Sequence, residues 1–240
     1  MAISGPNLYS EMATSQSSFT EATIGYNAHL DSDSLATHSN HSAARLFQNS
    51  IHTPLFQTSL SPDRIGVEIC GGLKNVISLA IGFSNGVYDV HPNHNTKAAI
   101  VRAGMHEMTR FMVQIMKLNQ DISKRTVFES SAGMGDLMLT CTAGRGRLLA
   151  YEFIKLIESE GVSSDKEINV ERWAMLEKET MNGMKLPDWH NAQEVYRALV
   201  DYDCVEDFPL LEAVYKIGFM GYEPEYIIEA LSKSIQVSDQ

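Results

Sequence analysis

Along the first 64 residues the apolar positions come in short pieces, Ala2-Ile3, Thr23-Ile24 and Leu55-Phe56, set among Ser, Thr, Asn and His. Such pieces, bounded by polar residues, predict short strands. Ser42 to Phe47 has the look of a helix, and the Ser-, Asp-, Asn- and His-rich run from Asp31 to Ser42 predicts a solvated loop. This is a partial α/β pattern, too thin to build its own core. From Ile65 the period becomes helical. Val76, Leu79, Ala80 and Phe83 recur at helix spacing behind Gly71-Gly72, and Ala98 to Met116 puts Met105, Met108, Met112 and Met116 on one stripe. That stripe reads as a core face, because thioethers fill irregular gaps between helices. Further helices are predicted over 148–160, 174–181, 192–200, 208–218 and 226–234. The expected fold is mainly α: a partial α/β piece over residues 1–64, then an all-helical domain over residues 65–240.

Composition narrows the function classes. Apolar residues at 44% and charged residues at 20% are ordinary for a globular chain and exclude wholesale disorder. The net charge of −11, with no basic run longer than two, argues against nucleic acid and anionic membrane as partners. Val76 to Phe83, the longest apolar stretch, is too short to span a bilayer. Cys70, Cys141 and Cys204 form no CxxC pair, and the amino terminus lacks the basic start and apolar core of a secretory leader. A reducing, cytoplasmic setting is expected. His91 and His94 share a Pro/Asn loop but have no third ligand nearby, so no metal is expected.

Three segments carry candidate chemistry. In Glu68-Ile-Cys-Gly-Gly-Leu-Lys-Asn75, two glycines precede a Lys-Asn pair that opens an apolar helix. A lysine among apolar neighbours loses solvation, which suits it to proton transfer. In Ser130-Ser-Ala-Gly-Met-Gly-Asp-Leu-Met-Leu-Thr140, Asp136 is placed at or near a helix N-cap, with Thr140 one turn on along the same face. In Ala143-Gly-Arg-Gly-Arg147, two arginines framed by glycines could clamp a phosphate, or could be a plain surface loop. This last segment is not a dinucleotide fingerprint, since the third glycine is missing.

Taken in order, these segments resemble the NAD-dependent glycerol-3-phosphate dehydrogenase family. Asn95-Thr-Lys-Ala-Ala99, Asn182-Gly183 with Lys185, and Val205 to Tyr215 continue the likeness, and Ser4-Gly-Pro-Asn7 with Thr23-Ile24-Gly25 is similar to the end of the family's nucleotide domain. The resemblance implies hydride transfer between NADH and dihydroxyacetone phosphate, giving sn-glycerol 3-phosphate. It makes Lys74 the proton donor, and Asn75, Asp136, Thr140, Arg145 and Gly146 the substrate-binding set. Arg145, Lys185 and Tyr9 become cofactor contacts on an all-helical domain beside an incomplete Rossmann piece, usually as a homodimer. Three positions depart from the family: Gly146 stands where asparagine is usual, Tyr9 where a small residue is usual, and Pro187 where a polar cofactor contact is usual. The Gly-rich turn that holds the pyrophosphate in the family has no counterpart here. The chain is therefore expected to turn over little by itself, the alternative being a non-catalytic dimerisation partner of a full-length relative.

Overall fold

The computed structural model describes residues 1–14, 18–28, 34–88, 93–181 and 184–238, excluding the side chains of Tyr9, of residues 34–38 and of Ser238. The chain divides into two compact units: residues 1–71 with 111–139, and residues 72–110 with 140–240. This differs from the expected division at 64/65, because the helix that begins at Arg64 belongs to the amino-terminal unit as far as Gly71, and the segment 111–139 returns to that unit.

The first unit is built on a three-stranded sheet of order β1 (Ala2–Ser4), β2 (Thr20–Gly25), β3 (Phe56–Ser61). β1 runs antiparallel to β2, and β2 parallel to β3 with Thr20 opposite Phe56 and Gly25 opposite Ser61. Between β1 and β2 lies the short α1 (Tyr9–Thr14), and α2 (Ser34–Ile51) carries the crossover between the parallel strands, as a parallel pair requires. The sequence reading is corrected here: residues 34–42 are helix, not loop. Polar composition misled it, because most of α2 faces solvent. The helix is held where Ala44 and Gln48 are buried, and the Gln48 amide donates to the Thr58 carbonyl at 2.6 Å. The unit is completed by α5 (Gln120–Glu129), whose N-cap Asn119 accepts from the N–H groups of Asp121 and Ile122, and by a π-turn over Ser131–Gly135.

α3 (Arg64–Val87) starts in the first unit and continues into the second. By length and composition it could cross a membrane, yet most of its apolar stretch is buried inside the protein, as in a core helix. The second unit adds most of α4 (His94–Gln114), the end of α6 (Asp136–Ala143), and α7 (Arg145–Glu160), α8 (Lys166–Thr180), α9 (Asp188–Asp201), α10 (Pro209–Phe219) and α11 (Tyr226–Ser238). Its core is aromatic: Phe153 stacks on Trp173 with centroids 4.1 Å apart, and the Trp173 indole donates to the Gly218 carbonyl at 3.1 Å. Met105, Met108 and Met112 are buried as the stripe predicts, while Met116 lies beyond the end of α4. α3 and α7 cross closely, because a side chain at Gly82 or Gly86 would run into Ala150 or Ile154. Among the described residues no strand follows β3.

Candidate active site

In the second unit Lys74 and Asn75 lie on α3, Thr140 on α6, Arg145 and Gly146 on α7, and Lys185 just before α9. Lys74 does not open α3. It lies in the middle, with Gly71 and Gly72 inside the helix before it, because the first turn is set earlier by Asp63. Lys74 and Asn75 are half-buried. Ser78 stands one turn on, donating to the Asn75 carbonyl at 2.8 Å and reaching an Asp188 carboxylate oxygen at 3.5 Å.

Asp188 is the first residue of α9 and is buried. Burial pushes its carboxyl up to about 6, against the opposing pull of the Ser78 hydroxyl and of the Arg145 and Lys74 cations. Arg145 is the first residue of α7, where the sequence allowed a loop, and its guanidinium donates to the Met184 sulfur. N-cap Gly144 supplies no side-chain cap to that helix. Gly146 follows, and the Asp188 carboxyl sits where a side chain at 146 would lie. Thr140 is half-buried on α6, its carbonyl accepting from the Gly144 N–H at 2.9 Å.

Lys185 is exposed on the segment leading into α9. That segment is anchored by buried Glu177 on α8, which accepts from the Leu186 N–H at 2.6 Å and from the Trp189 indole at 3.4 Å. Asn182-Gly183, part of the family likeness, lies outside the described residues. Arg147 points elsewhere than Arg145, toward Lys97 and Cys141. Burial, and after it the Arg147 charge, lower the Lys97 ammonium, while burial pushes the Cys141 thiol up to about 12 and leaves it a poor nucleophile.

In the first unit Asp136 is buried and accepts from the Ser4 hydroxyl at 3.0 Å. The expected N-cap geometry is not what forms. Asp136 has helical dihedrals (φ −73°, ψ −32°), and its N–H bonds to the carbonyls of Gly133 and Ser131, because a π-turn feeds directly into α6. The Ser130 hydroxyl caps that turn at the Gly133 N–H, 3.1 Å away, and the Ser131 and Thr23 hydroxyls bond at 2.8 Å. One-turn π insertions of this kind recur at functional sites. Tyr9 starts α1, and its side chain lies outside those described. A cavity of about 270 Å³ in this unit is lined by Thr23, Ser59, Thr126 and Ser130 and contains none of the expected site residues.

His91 also lies outside the described residues. Among the described residues no three His, Cys, Asp or Glu side chains group as a metal site. Sequence reasoning missed Ser78, Glu177 and Asp188. Ser78 had a usable signal, being i+4 from Lys74 on the same helix; Asp188 had none, since nothing local says which helix it faces.

A family model described as the C-terminus of NAD-dependent glycerol-3-phosphate dehydrogenase matches residues 63–229. The chain is 35% identical over 227 residues to the glycerol-3-phosphate dehydrogenase 1-like protein of Xenopus tropicalis, covering 95% of this chain and 55% of that protein. It is 33% identical over 229 residues to glycerol-3-phosphate dehydrogenase [NAD(+)] 2 of Schizosaccharomyces pombe, covering 95% and 54%. The chain thus spans about half the length of the curated relatives it matches. Among solved structures, the glycerol-3-phosphate dehydrogenase of Saccharomyces cerevisiae superposes with a TM-score of 0.74 at 32% identity, covering 96% of this chain and 58% of that one. The Plasmodium falciparum enzyme gives 0.74 at 30% identity, covering 95% and 55%.

Proposed function

The chain belongs to the NAD-dependent glycerol-3-phosphate dehydrogenase family, and from that premise we propose that it holds substrate for hydride transfer between NADH and dihydroxyacetone phosphate, giving sn-glycerol 3-phosphate. The observation that carries this reading is the buried Asp188 carboxylate in the second unit, which lies within the electrostatic influence of both Arg145 and Lys74. Lys74 gives its proton to the ketone oxygen as negative charge builds there, and takes it back in the reverse direction. Asn75 and Thr140 bind the substrate hydroxyls and orient the lysine. Arg145, with the Gly146 backbone at the start of α7, faces the phosphate end.

The exposed cations Arg145 and Lys185 suit the diphosphate of a dinucleotide. NAD(H), when bound, supplies or accepts the hydride. We place the chain in a reducing cytoplasm, as a homodimer away from nucleic acid and membrane. The three cysteines, none in a disulfide, and the net charge of −11 support that setting.

The test is titration of the purified chain with NADH, with and without dihydroxyacetone phosphate, followed by nucleotide fluorescence and NADH oxidation. The expected result is saturable binding that the ketone tightens, with any turnover lowered by about 10²–10⁴ in Lys74→Ala. A chain that neither binds NADH at millimolar concentration nor oxidises it overturns the proposal.

A further inference from the structure

Lys185 is exposed, yet the chain on both sides of it is held. On one side the Met184 N–H donates to the Met181 carbonyl at 3.0 Å, and the Met184 sulfur receives the Arg145 guanidinium. On the other, Leu186 is buried, and its N–H meets a single oxygen of Glu177 at 2.6 Å, the same oxygen that takes the Trp189 indole N–H. Glu177 sits in the last turn of α8 and is itself buried. Its two donors flank Pro187 and Asp188, where α9 begins on a proline N-cap that offers no side-chain bond of its own. The start of α9 is therefore held from outside, by a carboxylate on a neighbouring helix. A buried carboxylate is costly unless it is hydrogen-bonded, and bonds to a charged acceptor are shorter and stronger than neutral ones. What the arrangement gives is place. One oxygen fixes residue 186, so Lys185 leaves the protein from a set point, next to the residue that touches Arg145.

We propose that Glu177 is a positioning residue for the dinucleotide: through Leu186 and Trp189 it fixes the backbone from which Lys185 reaches the ligand and, through Met184, the register of Lys185 with Arg145. The inference rests on the reading of Arg145 and Lys185 as dinucleotide contacts given above. Glu177 acts through the segment and not on the ligand, and its removal leaves both cations in the chain. What changes is order. A segment that is no longer pinned must be ordered when the dinucleotide arrives, and that cost is subtracted from affinity. The substrate end is spared, because Lys74, Asn75 and Thr140 are carried by α3 and α6 rather than by this segment.

The experiment measures NADH affinity by nucleotide fluorescence on the full 240-residue chain. It compares the parent with Glu177→Ala, Glu177→Gln, Lys185→Ala and the double variant Glu177→Ala/Lys185→Ala, and titrates glycerol 3-phosphate separately by calorimetry. Circular dichroism establishes that each variant is folded. Trp189→Phe, which removes only the indole donor, takes the place of Glu177→Ala in the cycle if that variant does not fold. The expected result is that Glu177→Ala and Lys185→Ala each weaken NADH about tenfold, while Glu177→Gln, which keeps the accepting oxygen, weakens it by no more than about threefold. Glycerol 3-phosphate binding stays within about threefold in both Glu177 variants. Once residue 185 is alanine, removing Glu177 should weaken NADH no further, within about twofold. A role in the fold alone would give two losses that multiply, to about a hundredfold. That outcome overturns the positioning role and leaves the Lys185 contact standing. If Lys185→Ala binds NADH as the parent does, or the parent binds none, the cofactor reading fails and the positioning role falls with it.

Discussion

Asp63 joins the end of β3 to the start of the helix that carries Lys74. One carboxylate oxygen accepts from the Gly66 N–H at 2.8 Å, satisfying a helix-start donor, and the other accepts from the buried Thr126 hydroxyl at 2.6 Å. Asp63→Ala therefore loses a cap and one of two acceptors of the buried Thr126 hydroxyl, the other being the Ile122 carbonyl at 3.1 Å, which should cost about 1–2 kcal/mol in urea unfolding. Asp63→Asn keeps an acceptor for one of the two and should recover part of it. An alanine variant as stable as the parent would show that the cap does not set this helix. The residue scale is also where the sequence is least legible. Lys74, Arg145 and Asp136 are recognisable as chemistry from their neighbours, but Lys74 reads as a helix start because its two glycines look like a break. Asp188 is invisible in sequence because its meaning lies in Gly146, far away along the chain.

At the scale of elements, the period of apolar positions is a good guide wherever one face is buried. It marks α7, α9, α10 and α11 within a few residues of where they lie, and the three short strands. It fails for α2, whose contacts with the sheet are few and partly polar, and for the first half of α8, whose start is fixed by the Asp165 side chain accepting from the Glu167 N–H rather than by apolar residues. It cannot show the π-turn before Asp136, since one inserted residue leaves no mark on composition. The glycines of α3 divide in the same way. Gly82 is pressed against α7, where a methyl group would meet Ala150 and the Arg147 carbonyl, whereas Gly72 has open space around it. Gly82→Ala should destabilise the chain by about 1–3 kcal/mol through overpacking against backbone. Gly72→Ala should stabilise it by about 0.5–1 kcal/mol through helix propensity alone. Opposite signs in paired denaturant titrations are the expected outcome; two variants of the same sign would contradict the close α3–α7 crossing.

For the molecule as a whole, the group with most influence on the acid side of stability is Glu107. It is fully buried on α4, accepts from the Leu210 and Leu211 N–H groups at 2.9 and 3.0 Å and from the Ser234 hydroxyl at 2.6 Å, and so ties the start of α10 and the end of α11 to one side chain. Burial pushes its carboxyl up to about 7 despite those donors and the nearby Arg110. The folded chain then holds a proton that the unfolded chain, near 4.5, has released. The stabilisation is full below about 4.5 and is lost as pH rises through about 7. Asp188, also raised, adds a smaller change of the same sign. The stability of the parent relative to Glu107→Gln should fall by roughly 3 kcal/mol between pH 4.5 and pH 8. A difference that does not change with pH, measured by urea unfolding at both ends, would refute the assignment.

Gly146 and Asp188 share one small volume, and that has a historical meaning. Neither position is free to drift alone: while the carboxyl stays, no side chain can replace Gly146 without first shrinking residue 188. The pair forms a ratchet in which the order of substitution is dictated by space, and descendants of this sequence inherit the narrower set of moves.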